Sequence, residues 1–577
     1  MYTSIDHLIK KSGFNWIRGL FYRPISNLRG LIRPSGRLWK GSFLPLFSLT
    51  LLVLFVCIPL YQPGFYFNLD GSFPPKIAPP NIETTGFFWV GILYTINKAL
   101  PADLIQKMIY IGTLLFLSLG SYLVAPFTSR KARLFFALVM TFNPFVYSRF
   151  LAGQYAVILG YGLFVHLCIA LLFTKTKPYL RLAFLFTGLY IASTHFFVLA
   201  TAVILVWPFV RYINEKKFDG RLYLSFIPTI LLLVVHFVFL GQNPSNMQTF
   251  SSFDRWNLGI FATIADDSKG LIFNILSLHG FWFEGENNVL TLKQTTPLWP
   301  LITLFYIGSS LYGFILFCRR QEKTQRLGAW YYGVVLVGGL MLAVGIASTT
   351  LVPFIFKLYD IFPMLYVFRE PAKLIGLLAF FYAFFGAYAL DHVHVSRTIG
   401  GILILCAGIY YFGFVRGFFT EISVHPYPSE WYALQAVLTR EKSAKSVLFP
   451  WEMYLPLSIS NGKNVFNVAE EIFPSPSTVG LTTLRVTPTK MPTTSPDEAH
   501  ITGLLRIAFT RTNLFDAPIE KNIYLSDGLA EIGVDHIVLL KEFDWKLYER
   551  ELGKDPGVVK VAENGKGIIY KITTASK

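Results

Sequence analysis

Charged residues are scarce in this sequence, making up 15% of 577 positions, where soluble domains carry about a quarter. Acids are scarcer than bases, with 34 Asp and Glu against 51 Lys and Arg, for a formal net charge of +17. With 53% apolar residues and a mean hydropathy of +0.49, this shortage excludes an ordinary soluble globule. Only four cysteines occur. Cys57, Cys168, Cys318 and Cys406 each lie inside an apolar run without C-x-x-C spacing, so they imply neither a disulfide framework nor a zinc site and read as small buried hydrophobes. No P-loop, G-x-G-x-x-G or H-E-x-x-H is present, and no internal repeat is visible.

Aromatics and long apolar runs are abundant. Fifty-five Phe and 30 Tyr suit lipid-facing surfaces and headgroup-level anchors. The excess positive charge falls in short clusters between apolar runs, which is the positive-inside pattern and not a phosphate-tracking groove, so nucleic acid is not expected as a partner. Runs long enough to cross a bilayer lie at 42–61, 105–127, 156–173, 222–240, 298–318, 329–348, 373–390 and 398–416. Segment 134–148 adds a short helix broken at Asn143-Pro144, and 182–210 is split into two helices meeting at Thr194-His195. About eleven crossings follow. The loops then assigned to the cytoplasm are all basic: Arg130, Lys131, Arg133; Lys175, Lys177, Arg181; Arg211, Lys216, Lys217, Arg221; Arg319, Arg320, Lys323, Arg326; and Arg397. An odd count from an inside N-terminus places the C-terminus outside.

The chain divides accordingly. Residues 1–40 form a basic cytoplasmic interfacial arm, with Lys10, Lys11, Arg18, Arg23, Arg29, Arg33, Arg37 and Lys40 against the single acid Asp6, suited to anionic lipid. Residues 41–419 form the transmembrane domain with extracytoplasmic loops, and its first span is expected to stay as an anchor. Residues 420–577 form a soluble extracytoplasmic α/β domain. Strands are expected there at 446–450, 536–540, 558–563 and 568–572, with Asn564-Gly565 turning the last two into a hairpin. Helices are expected at 429–442, 496–512 and 542–554, and 472–496 as a long loop. The predicted fold is a polytopic α-helical membrane protein of the multi-pass plasma (inner) membrane, carrying a C-terminal α/β domain.

Ionisable groups near a membrane cost roughly 2.5–3.5 kcal/mol each at a helix centre, so their clusters at span ends are functional candidates. They concentrate on the outer side. The first outer loop holds Asp70 in Asn68-Leu69-Asp70-Gly71-Ser72-Phe73-Pro74, where Asp-Gly also suits a plain turn. A helix break at Asn143-Pro144 leads to Arg149, Gly153 and Gln154, and broken helices at membrane depth are tolerated where they line a cavity. The tenth span opens on Phe368-Arg369-Glu370-Pro371-Ala372-Lys373, with two cations and an acid. His195 falls on the same side. Asp266 and Asp267, in the long outer loop with Asp254, Glu284 and Glu286, are metal candidates as adjacent carboxylates, although solvated loop acids look the same in sequence. His392 and His394 form an H-x-H on the opposite face and read as interfacial.

These motifs resemble the C-type (GT-C) membrane glycosyltransferase superfamily, in particular the YfhO-like membrane proteins and related arabinosyl- and mannosyltransferase-like chains. The resemblance is carried by Asp70 to Pro74, Asn143 to Arg149 with Gly153-Gln154, Phe368 to Pro371, and Gly533-Val534-Asp535-His536-Ile537-Val538 near the end. It implies a transferase that takes a sugar from a polyprenyl-phosphate donor and passes it to an extracytoplasmic glycan, lipid or protein acceptor. The acid that such families keep in the first outer loop maps onto Asp70. An Asp-x-Asp or Glu-x-Asp pair is missing there, which leaves open whether a divalent cation, Mg or Mn, takes part.

The residue types suit that chemistry. Displacement at an anomeric carbon needs a base for the acceptor hydroxyl, a role for Asp70, and cations for the departing phosphate, roles for Arg149, Arg369 and Lys373. Asn143, Gln154, His195 and Glu370 are then substrate-binding candidates, and inversion at the sugar carbon is the expected outcome. A transporter or flippase of lipid-linked sugars and a non-catalytic envelope-assembly subunit remain open on the residues alone.

Overall fold

The computed structural model describes residues 36–573 apart from 81–85, 174–178, 217, 241–258, 260, 286–288, 297, 393–396, 469–471, 474–476, 479–496, 498–499, 503 and 506–523. The basic arm is therefore described only from residue 36. Asp254, Glu286, His394 and most of the helix expected over 496–512 lie outside the described residues. Two compact units are present, Met1–Leu52 and Val53–Lys577. The described part of the first belongs to the helix Gly36–Val56.

Among the described residues, eight helices are long and apolar enough to cross a membrane: Ala102–Val124, Arg130–Leu151, Tyr155–Phe173, Thr194–Ile213, Trp299–Arg320, Lys323–Gly345, Pro371–His392 and Gly400–Glu421. The chain is thus a multi-pass membrane protein. Three other segments read as spans are present as shorter apolar helices, Ser42–Val56, Tyr179–Ala192 and Gly220–His236. A helix of 14 residues rises only about 21 Å, short of a hydrocarbon core of about 30 Å. A further apolar helix, Phe87–Asn97, was not expected from the sequence.

Both predicted breaks occur. Ser193, at φ −156° and ψ 108°, separates Tyr179–Ala192 from Thr194–Glu215. Asn143 separates Arg130–Thr141 from Pro144–Leu151: its side-chain oxygen accepts from the Val146 amide at 3.0 Å, and Pro144 occupies the first helical position, where a missing N–H costs nothing.

Strands frame the tail and reach back to the first outer loop. β1 (Phe65–Tyr66) pairs antiparallel with β2 (Val424–His425). β3 (Ser446–Phe449) belongs to the main sheet. β4 (Tyr454–Pro456) and β5 (Asn464–Phe466) form a separate antiparallel hairpin, and Leu69 bridges to Val465 beside it. The main five-stranded sheet runs β6 (Ser477–Thr478), β3, β7 (His536–Leu540), β9 (Gly567–Ile572), β8 (Val558–Glu563). Its β6-β3-β7 part is parallel, and β9 and β8 are antiparallel to their neighbours.

Alternation along the central strands feeds two apolar layers. Val447, Phe449, Ile537, Leu539, Ile568 and Tyr570 join a layer with Leu529, Tyr548 and Leu552. Leu448, Val538, Leu540 and Ile569 face the other way, where Trp431, Leu434 and Leu438 of the helix Ser429–Glu441 meet Phe65, Phe67, Phe73 and Ile77 of the first outer loop. One side of the tail sheet is therefore built jointly with the loop that carries Asp70.

Candidate active site at the first outer loop

Buried polar contacts fix the first outer loop before Asp70 is reached. Gln106 of the helix Ala102–Leu115 accepts from the Tyr66 amide at 2.9 Å and donates to the Tyr66 carbonyl at 2.9 Å and the Gly71 carbonyl at 2.8 Å. The Tyr66 hydroxyl donates to the Leu151 carbonyl at 2.7 Å. Leu69 stands at φ +44°, a left-handed conformation that costs a non-glycine residue on the order of 1–3 kcal/mol unless its surroundings hold it. They do: its amide donates to the Asn464 carbonyl at 2.9 Å, and its carbonyl accepts from the Phe466 amide at 2.8 Å. The Asp70 amide donates to the Ala152 carbonyl at 3.0 Å. Next to it Gly153, at φ +79°, brings its backbone against that of Gly71 and Asp70, where any Cβ would collide.

Asp70 is partly exposed and heads a chain of polar side chains that runs inward. Its Oδ1 accepts from the Tyr454 hydroxyl at 2.8 Å and its Oδ2 from Gln154 Nε2 at 2.9 Å. Gln154 Oε1 accepts from Arg149 Nη1 at 2.5 Å, and the same nitrogen meets Glu370 Oε2 at 3.2 Å. Glu370 Oε1 lies 3.2 Å from Lys373 Nζ, which lies 3.3 Å from His195 Nε2. Six of the residues singled out in the sequence thus join in one connected cluster, drawn from the first loop, the broken helix, the Ser193 joint and the entrance of Pro371–His392.

The two acids in this cluster sit in opposite fields. Burial pushes the Asp70 carboxyl above the usual range, and the Glu370 charge adds to that; Gln154, Tyr454 and Lys373 draw it partly back. Burial also acts to raise Glu370, but Lys373 and Arg149, with His195, outweigh it and hold that carboxyl well below the usual range. One is a carboxylate met by neutral donors, and the other is locked between cations.

Other sequence candidates fare differently. Arg149 is fully enclosed: the Phe281 ring lies 3.4 Å from its guanidinium carbon, and its Nε and Nη2 have no hydrogen-bond partner among the described residues. A phosphate cannot reach it without displacing that ring, so the geometry suits it to orienting Gln154 and Glu370. Asn143 uses both amide hydrogens on the Val139 and Met140 carbonyls, at 2.8 and 3.2 Å, and its oxygen on Val146, which makes it the joint of the broken helix. Arg369 is half-buried, 5.6 Å from the Phe261 ring.

Among the described residues, Asp266 and Asp267 are not gathered with further metal-ligand side chains. Asp266 is ion-paired to Lys293 at 2.7 Å and accepts from the Ser268 amide and hydroxyl and the Lys269 amide, while Asp267 is exposed. Among the described residues no group of three or more His, Cys, Asp or Glu side chains could hold an ion.

Sequence reading missed Gln106, Phe281 and Tyr454. No local signal marks them. Tyr454 lies 384 positions from its partner.

No protein-family model matches the chain, and no curated protein sequence matches it. Among solved structures, the arabinofuranosyltransferase AftD from Mycobacteria superposes with a TM-score of 0.58 at 14% identity, over 94% of this chain and 40% of that one. Its R1389S mutant gives 0.56 at 12% identity, over 94% and 42%. The apo Archaeoglobus fulgidus oligosaccharyltransferase aligns over 93% of this chain and 75% of that one, with a TM-score of 0.47 at 10% identity. The chain spans about two-fifths of the length of the AftD structures it matches. At this identity the likeness is one of architecture: the chain shares its fold with the AftD structures, a membrane region of long apolar helices and a C-terminal domain built on an open sheet.

Proposed function

We propose that this protein is an inverting membrane glycosyltransferase that moves a sugar from a polyprenyl-phosphate donor to an extracytoplasmic acceptor, with Asp70 as the general base. The observation that carries the reading is Asp70 itself: a partly exposed carboxylate in the first outer loop, held through both oxygens by neutral donors beside a buried cluster of cations. In the transfer step the acceptor hydroxyl gives its proton to Asp70 as its oxygen bonds to the anomeric carbon. The carbon–oxygen bond to the carrier breaks, and the polyprenyl phosphate leaves with the electron pair. Arg369 and Lys373 supply positive charge toward that leaving group, and Arg149 fixes Gln154 and Glu370 from behind. Placement among YfhO-like chains rests on the sequence motifs. No step is assigned to a metal.

The orientation that goes with this reading puts residues 1–40 in the cytoplasm and the tail outside. A cysteine at the exposed Lys554 should be labelled from outside intact cells, and one at Ser26 only after permeabilisation.

The decisive test is transfer of labelled arabinofuranose or hexose from defined polyprenyl-phosphate donors by purified protein. Asp70→Asn should keep the fold and donor binding while turnover falls by about 10² to 10⁴. Near-wild-type turnover would return Asp70 to a turn-forming role.

A further inference from the structure

Asp70 is completed from the far end of the chain. The Tyr454 hydroxyl in β4 donates to Asp70 Oδ1 at 2.8 Å. It belongs to a hairpin seated on the first outer loop, whose Leu69 exchanges two backbone hydrogen bonds with Asn464 and Phe466 and so bridges to β5 at Val465. Those two bonds hold Leu69 at φ +44°, the turn that presents Asp70. The hairpin is pinned again at its tip, where Lys463 Nζ meets Glu421 Oε2 at 2.7 Å and the Glu421 carbonyl at 2.9 Å, at the end of the helix Arg397–Glu421. The Tyr454 ring packs edge-on against Phe466 at 5.9 Å between centroids. Backbone, ion pair and ring contact together fix where the hydroxyl stands.

We infer that Tyr454 is a positioning residue for Asp70, so that the C-terminal domain, through its β4–β5 hairpin, supplies part of the transfer site. This rests on the reading of Asp70 as the base. A carboxylate offers about four lone-pair sites, two on each oxygen. Tyr454 takes one on Oδ1 and Gln154 one on Oδ2, which fixes the plane of the group and leaves a site on each oxygen for an acceptor hydroxyl. A donor of this kind also favours the ionised form that a base needs. The other charged or titratable groups that face Asp70 are Glu370 and Lys373, Arg149 behind Gln154, and the buried Tyr110 hydroxyl. Burial, then the Asp70 charge, pushes Tyr454 far above the usual tyrosine range, so it stays a donor at every working pH.

The test uses the full chain in detergent micelles with ¹³C-carboxyl aspartate, and reads Asp70 by infrared titration as the difference between wild type and Asp70→Asn. Tyr454→Phe should move the Asp70 midpoint upward by about one pH unit or more, the loss of a hydrogen bond to a charged group. A fluorotyrosine at 454 keeps the hydroxyl and makes it a stronger donor, so it should move the midpoint downward, and it decides the matter if Tyr454→Phe does not fold. In the transfer assay with the polyprenyl-phosphate arabinofuranose donor, the acid limb of kcat should shift in step, with KM unchanged. An unmoved midpoint in both variants overturns the inference, as does a wild-type pH profile for Tyr454→Phe when Asp70→Asn is inactive. Near-wild-type turnover of Asp70→Asn removes the base, and the inference with it, whatever the infrared midpoints do.

Discussion

Two carboxylates in one hydrogen-bonded cluster have been given opposite surroundings. Asp70 is partly exposed and is met by an amide and a phenol; Glu370 is buried and meets Arg149 and Lys373, each at 3.2 Å. The difference separates two tasks. A carboxylate clamped between buried cations has its charge neutralised and its lone pairs engaged, so it organises the site but cannot readily take a proton. A carboxylate held by neutral donors keeps its basicity. Gln154 joins the two regions, accepting from Arg149 on one side and donating to Asp70 on the other, so that the Arg149–Glu370 ion pair helps set the angle at which Asp70 is held.

The largest effect that would break this contrast is on stability. Glu370→Gln should cost about 3–5 kcal/mol, because it leaves two buried cations without a counter-charge. Asp70→Asn, which removes no ion pair, should change stability by far less, about 1 kcal/mol or under, the scale of one hydrogen bond. Thermal unfolding of the purified variants in detergent gives both numbers, and equal losses would show that the two acids share one role.

A smaller loss is expected at the junction between the two regions. Gly153→Ala places a side chain at φ +79° against the backbone of Gly71 and Asp70, which costs at least about 1–2 kcal/mol in backbone strain and displaces the Asp70 amide from Ala152. Turnover should fall together with stability in this variant, whereas in Asp70→Asn only turnover falls. A fully active Gly153→Ala would mean that the close approach does not set the site.

The smallest effect is in the pH dependence of stability, where the signs are opposite. Glu370 has a depressed pKa, so its contribution is present above about pH 4.3, the ordinary glutamate value, and is lost as pH falls through the depressed one. Asp70 has a raised pKa, so its contribution is fully present below about pH 3.9 and is lost as pH rises through the raised value. Melting curves from pH 3 to 8 should therefore show the wild type losing ground to Asp70→Asn as pH rises, and losing ground to Glu370→Gln as pH falls. The same sign in both comparisons would place both acids in the same field.

Much of this was legible from residue types. Asn143-Pro144 announces a helix break because proline suits a first helical turn and asparagine caps it, and the structure breaks there. Asn564-Gly565 announces the β8–β9 turn for a similar local reason. The clusters at Asp70, Arg149-Gln154 and Glu370-Lys373 stood out because charge near a bilayer is costly. What each charge does was not legible: Arg149 and Asn143 read as ligand-binding residues, and both are enclosed by their own neighbourhoods, one by Glu370, Gln154 and Phe281, the other by the turns of a helix joint. The strands β1, β2, β4, β5 and β6 escaped notice because each has only two or three residues, too few for a period to show, and β6 lies inside the stretch 472–496 read as a loop.

By itself the sequence determined the solvent, the long apolar helices, the sites of their breaks and the tail strands of four or more residues, since hydropathy, capping and turn chemistry act over a few residues. Only the tertiary structure decided which carboxylate would be clamped by cations and which would be left to neutral donors, and that the tail would share an apolar layer with the first outer loop. Those outcomes depend on contacts such as Tyr454 to Asp70 and Arg149 to Glu370, which join residues hundreds of positions apart and leave no periodic trace along the chain.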